Sequence, residues 1–512
     1  MRVTGNALLP FLRKACSAAL FQHAHNAPPP PPTPSPCPLP THRWYTGKFF
    51  FGNVKSVTDW HASNASRLFP NGLPAFAERL GLPLQLYTPF FADDYQTPYN
   101  MTESTSFRGT KLVVPADSYN FFSDLFDLGN EQTGHRMKAY EVDFLDSNFQ
   151  GSASMFESVH AADQWYGGMA QAALDRGIAI QYCLCSVTDM LQALTLPAVV
   201  QARASGDYVN KEANPLALGG SSLLMGAVHI APSKDTLWTA SPQPGTMSDT
   251  EHNGLSYTTQ PHVALDAVLA VLSLGPVGIS DGLGQVDVGL ISQAFRSAND
   301  STLLRPSRPL SWVDSSLVNR TFAGAGAGAD VRSTHASVRG AAPGGGGGAA
   351  GGGAAPPPLN SHYVLAWRTA SDVALGPSDL FPPPADPTAP LATRLHVLTP
   401  GAAAQQGGCT EGAPAVPGCV TVLQYGDALL APASGTDLAD FTLLAVYEPL
   451  SNGAWLLGEL AKFVHVSPQR FDYVSVGGGG PVALWRGCWE ARGRWCWSPA
   501  WTARALCTCR AW

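Results

Sequence analysis

The chain has 512 residues, of which 45% are hydrophobic and 13% charged, with a formal net charge of −7. That length exceeds what one hydrophobic core holds, so two domains, or a barrel with an appendage, are expected. The acidic balance and the lack of a basic stripe argue against nucleic acid as a partner, and no apolar run reaches the roughly 18 residues needed to span a membrane.

Residues 1–43 carry Arg2, Arg13, Lys14 and Arg43 and no acid, and they include the tract "APPPPPTPSPCPLP". An acid-free basic leader is like a transit peptide, so organelle targeting is expected, with the cytoplasm as the alternative. The texture becomes regular over residues 44–316. "PNGLPAFAERLG" spaces Leu73, Phe76, Ala77 and Leu80 at three and four residues, which predicts a helix running into the strand "LPLQLYTPF". Next come strand "AYEVDF", a helix around "MFESVHAADQWYGGMAQAALDRG", and strands "IAIQYCLC" and "AVVQARAS". Helix "ALGGSSLLMGAVHIA", strand "DTLWTAS", helix "HVALDAVLAVLSLG", strand "PVGIS" and a helix after Asp287 complete the alternation. Apolar strands separated by amphipathic helices predict a parallel sheet buried on both faces.

Polar residues then separate a barrel from a doubly wound sheet. Asp93, Asp94, Asp143, Asp146, Cys183, Asp207 and Asp281 fall at the carboxyl ends of strands. In a (β/α)8 TIM barrel all those ends meet at one mouth, whereas a doubly wound sheet gathers only those near its switch point. No G-x-G-x-x-G follows a first strand, so the barrel is favoured. Only six strands can be placed from Pro83 onward, with part of another in "WYTGKFFFG", so the barrel is expected to be incomplete in its N-terminal strands.

Residues 322–358 are dominated by Gly, Ala and Pro and are expected to be a disordered linker. Residues 359–484 alternate apolar and polar residues between turn signals, which predicts a C-terminal antiparallel β-sandwich domain. The tail, residues 485–512, holds Cys488, Cys496, Cys507 and Cys509 without paired C-x-x-C spacing, so no metal site is expected.

Two strand-end carboxylates at one cleft, Asp143 and Asp207, are the equipment for glycoside hydrolysis. One must be ionised to attack the anomeric carbon or guide water, and the other protonated to release the leaving oxygen. For either residue alone, a turn or helix-cap role is the competing explanation.

Several stretches, in order, resemble the α-galactosidase and raffinose-synthase branch of the glycoside hydrolases. "LFPNGLPAFAERLG" is similar to its F-P-x-G-L segment, "AYEVDF" to its nucleophile strand, and "RASGDY" to its R-A-S-D-D-F element. "APSKDTLWTAS", "LSLGPVGISDGLG" and "LLRPSRPL" are similar to the segments that follow. The resemblance implies a retaining enzyme acting on an α-linked carbohydrate without a cofactor, with Asp143 as nucleophile and Asp207 as general acid/base. Arg203, Asp235, Trp238, Asp281 and Cys183 would bind the sugar, Trp238 by stacking on a pyranose face.

Two departures bear on specificity. Glu141 stands where the family usually has a Lys that binds sugar hydroxyls, and Gly206 where plant members have a further Asp. Galactose specificity is therefore open. The alternatives are a raffinose-synthase-type galactosyl transferase, which shares the covalent intermediate, and a barrel that binds carbohydrate without turning it over.

Overall fold

A computed structural model describes residues 71–498, apart from 72, 89–90, 93–96, 107–108, 206–220, 235–236, 244–247, 250–254, 257–259, 261, 298–299, 324–329, 342–357, 377–390, 397–419, 424–428, 432–439, 449, 451–454, 478–479 and 486–496. The leader and nearly all of the tail lie outside the described residues. Two compact units form. The first takes the described residues up to Val209 with Leu224–Asp235 and Gln243–Thr259, and the second takes Asn210–Leu223, Thr236–Pro242 and those from Gln260 onward.

The first unit begins with α1 (Leu73–Leu80) and β1 (Leu84–Thr88), as the apolar spacing predicts. A small antiparallel sheet follows, built from β2 (Phe91–Ala92), β3 (Met101–Glu103) and β4 (Thr110–Val113). Then come α2 (Ser118–Gln132), β5 (Met137–Val142), α3 (Leu145–Gly151) and α4 (Ala161–Asp175). The rest of the unit is β6 (Ala179–Tyr182), α5 (Val187–Gln192), β7 (Val199–Arg203), β8 (Ala231–Ser233) and the short pair β9 (Ser248–Asp249) and β10 (Leu255–Ser256). Strands β1, β5, β6, β7 and β8 form one parallel sheet in that spatial order, so each is neighbour to its predecessor along the chain, with only the small β2–β4 excursion intervening.

The two faces of this sheet differ because side chains alternate along a strand. On β5, Tyr140 points toward the helices, its ring 5.0 Å from Phe126 and 6.1 Å from Phe122 of α2. Phe122 in turn meets Trp165 of α4 edge-on at 5.6 Å. Glu141 and Asp143 share the opposite face. Helices α2 and α4 meet closely at Gly168: a Cβ there would lie 2.7 Å from the backbone nitrogen of Tyr119 and 2.8 Å from the Cβ of Ser118. Ser118 Oγ donates to the carbonyl of Trp165 at 2.6 Å across the same crossing. Gly168→Ala is therefore expected to cost about 1–3 kcal/mol, despite the better helix propensity of Ala, because backbone must move. Urea denaturation checks this; an unchanged midpoint would mean that the helices separate freely.

The second unit contains α6 (Val263–Leu272), α7 (Val288–Ser292), the pair β11 (Phe295–Ser297) and β12 (Asp300–Leu303), β13 (Ser311–Trp312) and α8 (Asp314–Ala323). Asp287 caps α7 by accepting from Leu290 N at 3.0 Å, which explains the helix start after that residue. Leu237 and Ile279, in the segments read as strands "DTLWTAS" and "PVGIS", form one isolated parallel bridge. The remaining strands are β14 (Asp330–Ala341), β15 (Leu359–Trp367), β16 (Val373–Leu375), β17 (Leu391–His396), β18 (Val420–Leu423), β19 (Leu429–Ala431), β20 (Phe441–Tyr447), β21 (Trp455–Leu456), β22 (Phe471–Gly477), β23 (Gly480–Trp485) and β24 (Trp497–Ser498), the last paired with β21. An eight-stranded sheet runs β18-β17-β20-β15-β14-β22-β23, with β13 added on β14; all its pairings are antiparallel except β14 with β22.

Strands β15 and β20 are buried along both faces, which places them centrally. One face sets Val331, Val364, Ala366, Leu444 and Val446 against Leu375 and Ala431 of the β16–β19 pair. On the other, Tyr363 Oη accepts from Val466 N at 3.0 Å and Tyr447 bonds the buried His465.

The expected linker, residues 322–358, is corrected in part: it contains all of β14, and only 324–329 and 342–357 lie outside the described residues. The antiparallel region accordingly begins near Ser311 rather than at residue 359. What makes β14 a strand is its buried polar chemistry. Arg332 bonds Asp330 Oδ1 at 2.9 Å, both side chains being wholly buried, and Trp312 Nε1 donates to the same oxygen at 3.1 Å. The guanidinium lies 4.1 Å from the Trp312 ring centroid and 4.9 Å from that of Trp367. Among the described residues, no helix is long and apolar enough to cross a membrane.

Candidate active site

Four neighbouring parallel strands repeat one pattern, a polar residue followed two positions later by another at the strand's carboxyl end: Gln85 and Tyr87, Glu141 and Asp143, Gln181 and Cys183, Gln201 and Arg203. Two-residue periodicity puts all eight on one face. The deeper row is linked by its amides. Gln201 Nε2 donates to Gln181 Oε1, Gln85 Nε2 donates to the same oxygen at 3.2 Å, and its other hydrogen goes to Glu141 Oε2 at 2.7 Å.

The upper row centres on Asp143, which is 6% exposed. Tyr87 Oη donates to its Oδ2 at 2.7 Å, and the following backbone N–H, of Phe144, donates to Oδ1 at 2.7 Å. Asn148 Nδ2 holds the Asp143 carbonyl at 2.9 Å, which ties the strand end to the first turn of α3. The Cys183 thiol lies close enough to the Asp143 and Glu141 carboxylates to interact with both, and the Arg203 guanidinium is close enough to act electrostatically on Glu141 and Cys183.

These surroundings shift several protons. Burial, with a smaller push from Asp143, holds the Glu141 carboxyl above its ordinary range, against the Gln85 hydrogen bond, Cys183 and Arg203. Burial and then Asp143 push the Cys183 thiol and the Tyr87 phenol far up, so both remain protonated donors. Cys185 rises to about 12, chiefly by burial and then through Asp189.

The chain turns sharply beyond both central strands. Phe144, directly after Asp143, has φ 54°, and Leu184, directly after Cys183, has φ 44°. A left-handed backbone at a side chain bearing Cβ costs about 1 kcal/mol or more, so two such residues at adjacent strand ends mark a locally strained loop pair. Asp146 N donates to Leu184 O at 3.4 Å between the loops. Below the second, Tyr166 Oη donates to buried Asp189 at 2.7 Å, and Asp189 completes a capping box with Ser186 at the start of α5.

The structure thus brings Glu141, Asp143, Cys183 and Arg203 together. Asp207 and Asp235 lie outside the described residues, as do Asp93 and Asp94. Trp238 and Asp281 belong to the second unit. There Trp238 is buried at 7% exposure, and Asp281 accepts from Thr239 N at 3.0 Å and Ala240 N at 3.1 Å, fixing the loop that carries the tryptophan. Sequence reading passed over Tyr87, Gln85, Gln181 and Gln201; the repeated polar-x-polar pattern was the available signal. Among the described residues, no cluster of three or more His, Cys, Asp or Glu is placed to hold a metal ion.

Tyr87→Phe deletes a hydrogen bond to a charged group, so a turnover that uses Asp143 is expected to fall about 10- to 100-fold. Steady-state kinetics of the two proteins check this, and an unchanged rate would remove Tyr87 from the site. No protein-family model matches the chain, and no curated protein compared with it does.

Proposed function

We propose that the protein is a retaining glycoside hydrolase acting on α-linked sugars, α-galactosidase-like in mechanism, with Asp143 as nucleophile and Asp207 as general acid/base. The observation that carries this reading is the Asp143 site itself: a buried carboxylate at the carboxyl end of a parallel strand, oriented by a phenol and a backbone N–H. Oriented donors leave one geometry for the oxygen that attacks the anomeric carbon, which is what an intramolecular displacement needs. In the first half-reaction the C1 to leaving-group bond breaks as Asp143 bonds C1, and Asp207 gives its proton to the departing oxygen. In the second, Asp207 takes a proton from water, which adds to C1 and frees Asp143.

The reading includes a (β/α)8 TIM barrel followed by a β-sandwich. The sequential strand order, without the reversal of a doubly wound sheet, supports the barrel. The packing of the β16–β19 pair on the large sheet supports the sandwich. Arg203, Cys183 and Glu141 would contact sugar hydroxyls; for Asp235, Trp238 and Asp281 a sugar-binding role is what the resemblance alone implies. A panel of 4-nitrophenyl α-glycosides, with product anomers followed by NMR, tests this. Release of the α-anomer first is the expected result. Transfer to an added sugar in preference to water would assign the transferase, and binding without turnover would assign the non-catalytic barrel.

A further inference from the structure

Two histidines face each other in the large sheet of the second unit, independently of the glycosidase reading. In the β14–β15 register His335 stands directly opposite His362, and their rings are 5.8 Å apart. At even spacing from Val331 and Val364, they share the face of that core and lie just past its end. His362 is buried and His335 half-buried. Glu448, just after β20, approaches His362 Nε2 at 3.3 Å and accepts from Asn360 Nδ2 at 3.2 Å. Along the opposite edge of β14 runs a strap, Arg305–Leu310. Its Ser307 N donates to the His335 carbonyl at 2.8 Å, Ser337 N donates to Ser307 Oγ at 2.8 Å, and Thr334 Oγ1 donates to the Arg308 carbonyl at 2.6 Å. At its far end Leu310 N donates to Leu272 O of α6 at 3.1 Å. Pro306 and Pro309 have no N–H to give, so the strap depends on few bonds.

We propose that the His335–His362 pair is an acid-operated latch: with neutral imidazoles the strap lies against β14, and a second proton on the pair sets like charges side by side and loosens Arg305–Leu310. The groups acting on His335 are His362 from β15, Arg308 from the strap and Glu448 from beyond β20. Two imidazolium rings at this separation repel in a half-desolvated setting, and the Arg308 guanidinium adds a third positive charge. Glu448, already engaged by His362 and Asn360, offsets one of the three. Burial first, then His362 and Arg308, hold the folded His335 below the ordinary histidine range, against a smaller pull from Glu448. In the unfolded chain the ring titrates near about 6.5. The latch is therefore fully closed above that value and weakens as pH falls through the lower folded one, because the open form binds the proton more readily.

Hydrogen–deuterium exchange of the full chain tests this, with His335→Gln and Arg308→Gln compared at about pH 7.5 and about pH 5.5. Comparing proteins at one pH cancels the intrinsic pH dependence of exchange. Peptides covering Arg305–Leu310 and Thr334–Ser337 report the latch, and peptides from the centre of β20 report the unit as a whole. Relative to His335→Gln, exchange of the latch peptides in the unmodified protein is expected to rise at least about threefold on acidification, with β20 level. Arg308→Gln, which removes an exposed like charge, should shrink that rise. No rise would overturn the latch, and an equal rise over β20 would replace it with acid unfolding of the whole unit. Should His335→Gln fail to fold, NMR titration of the imidazole signals decides. His335 must then titrate below free histidine in the unmodified protein and move upward in Arg308→Gln, and a value at or above free histidine, or no movement, would overturn the inference.

Discussion

Asp143→Asn is expected to lower kcat/KM for an unactivated α-glycoside by at least about 10⁴-fold, because the amide cannot form the glycosyl ester. The substitution is nearly isosteric. The bond from Asn148 to the backbone carbonyl is untouched, Phe144 N–H can still donate to the amide oxygen, and the Tyr87 hydroxyl can turn to accept from the amide N–H, so the loss should appear in kcat without loss of fold. Asp207→Asn should match this loss on an unactivated substrate, since the leaving oxygen then receives no proton. The two variants should part company on a 4-nitrophenyl glycoside, whose leaving group needs little protonation. There Asp207→Asn should still release a burst of nitrophenolate and stall as the covalent intermediate, while Asp143→Asn should release none. Equal loss on both substrates would contradict these roles.

The largest expected effect on stability lies in the second unit. Arg332→Ala should destabilise it by about 3–5 kcal/mol, because it strands the Asp330 carboxylate in a site with no access to water. It also removes the cation from between Trp312 and Trp367. The double variant Asp330→Asn with Arg332→Met should lose much less, since it leaves no uncompensated charge and keeps most of the volume. Urea denaturation followed by tryptophan fluorescence separates the two outcomes; equal losses would assign the effect to packing rather than to charge.

Much of the first unit was legible because its helices and strands keep their periods. β1, β6 and β7 fall within the stretches read as strands, β5 starts two residues before its stretch and overlaps it, and α1 and α4 fall within those read as helices, as does α6 of the second unit. What escaped did so for identifiable reasons. Helix α2, "SYNFFSDLFDLGNEQ", buries Phe121, Phe122, Leu125 and Phe126 at helical spacing, yet Asn120, Gly129 and the aromatic residues themselves are weak helix formers. β14 was hidden between Gly-rich flanks because its burial depends on Asp330 and Arg332, which hydropathy counts as surface, and their mutual pairing is invisible in one dimension. At the site, Asp143, Glu141, Cys183 and Arg203 were legible as strand-end residues or their near neighbours. Tyr87 was not, since an aromatic residue in an apolar strand reads as core until its hydroxyl is seen to meet a carboxylate.

The most direct measurement is the site of covalent labelling by a 2-deoxy-2-fluoro-α-glycosyl fluoride, a substrate whose fluorine slows release of the intermediate more than its formation. The expected result is a mass increase of one fluoroglycosyl group per chain, located by peptide fragmentation on Asp143 and absent from Asp143→Asn. Turnover of α-glycosides with the label on another residue, or with inversion at C1 and no label, would contradict the assignment.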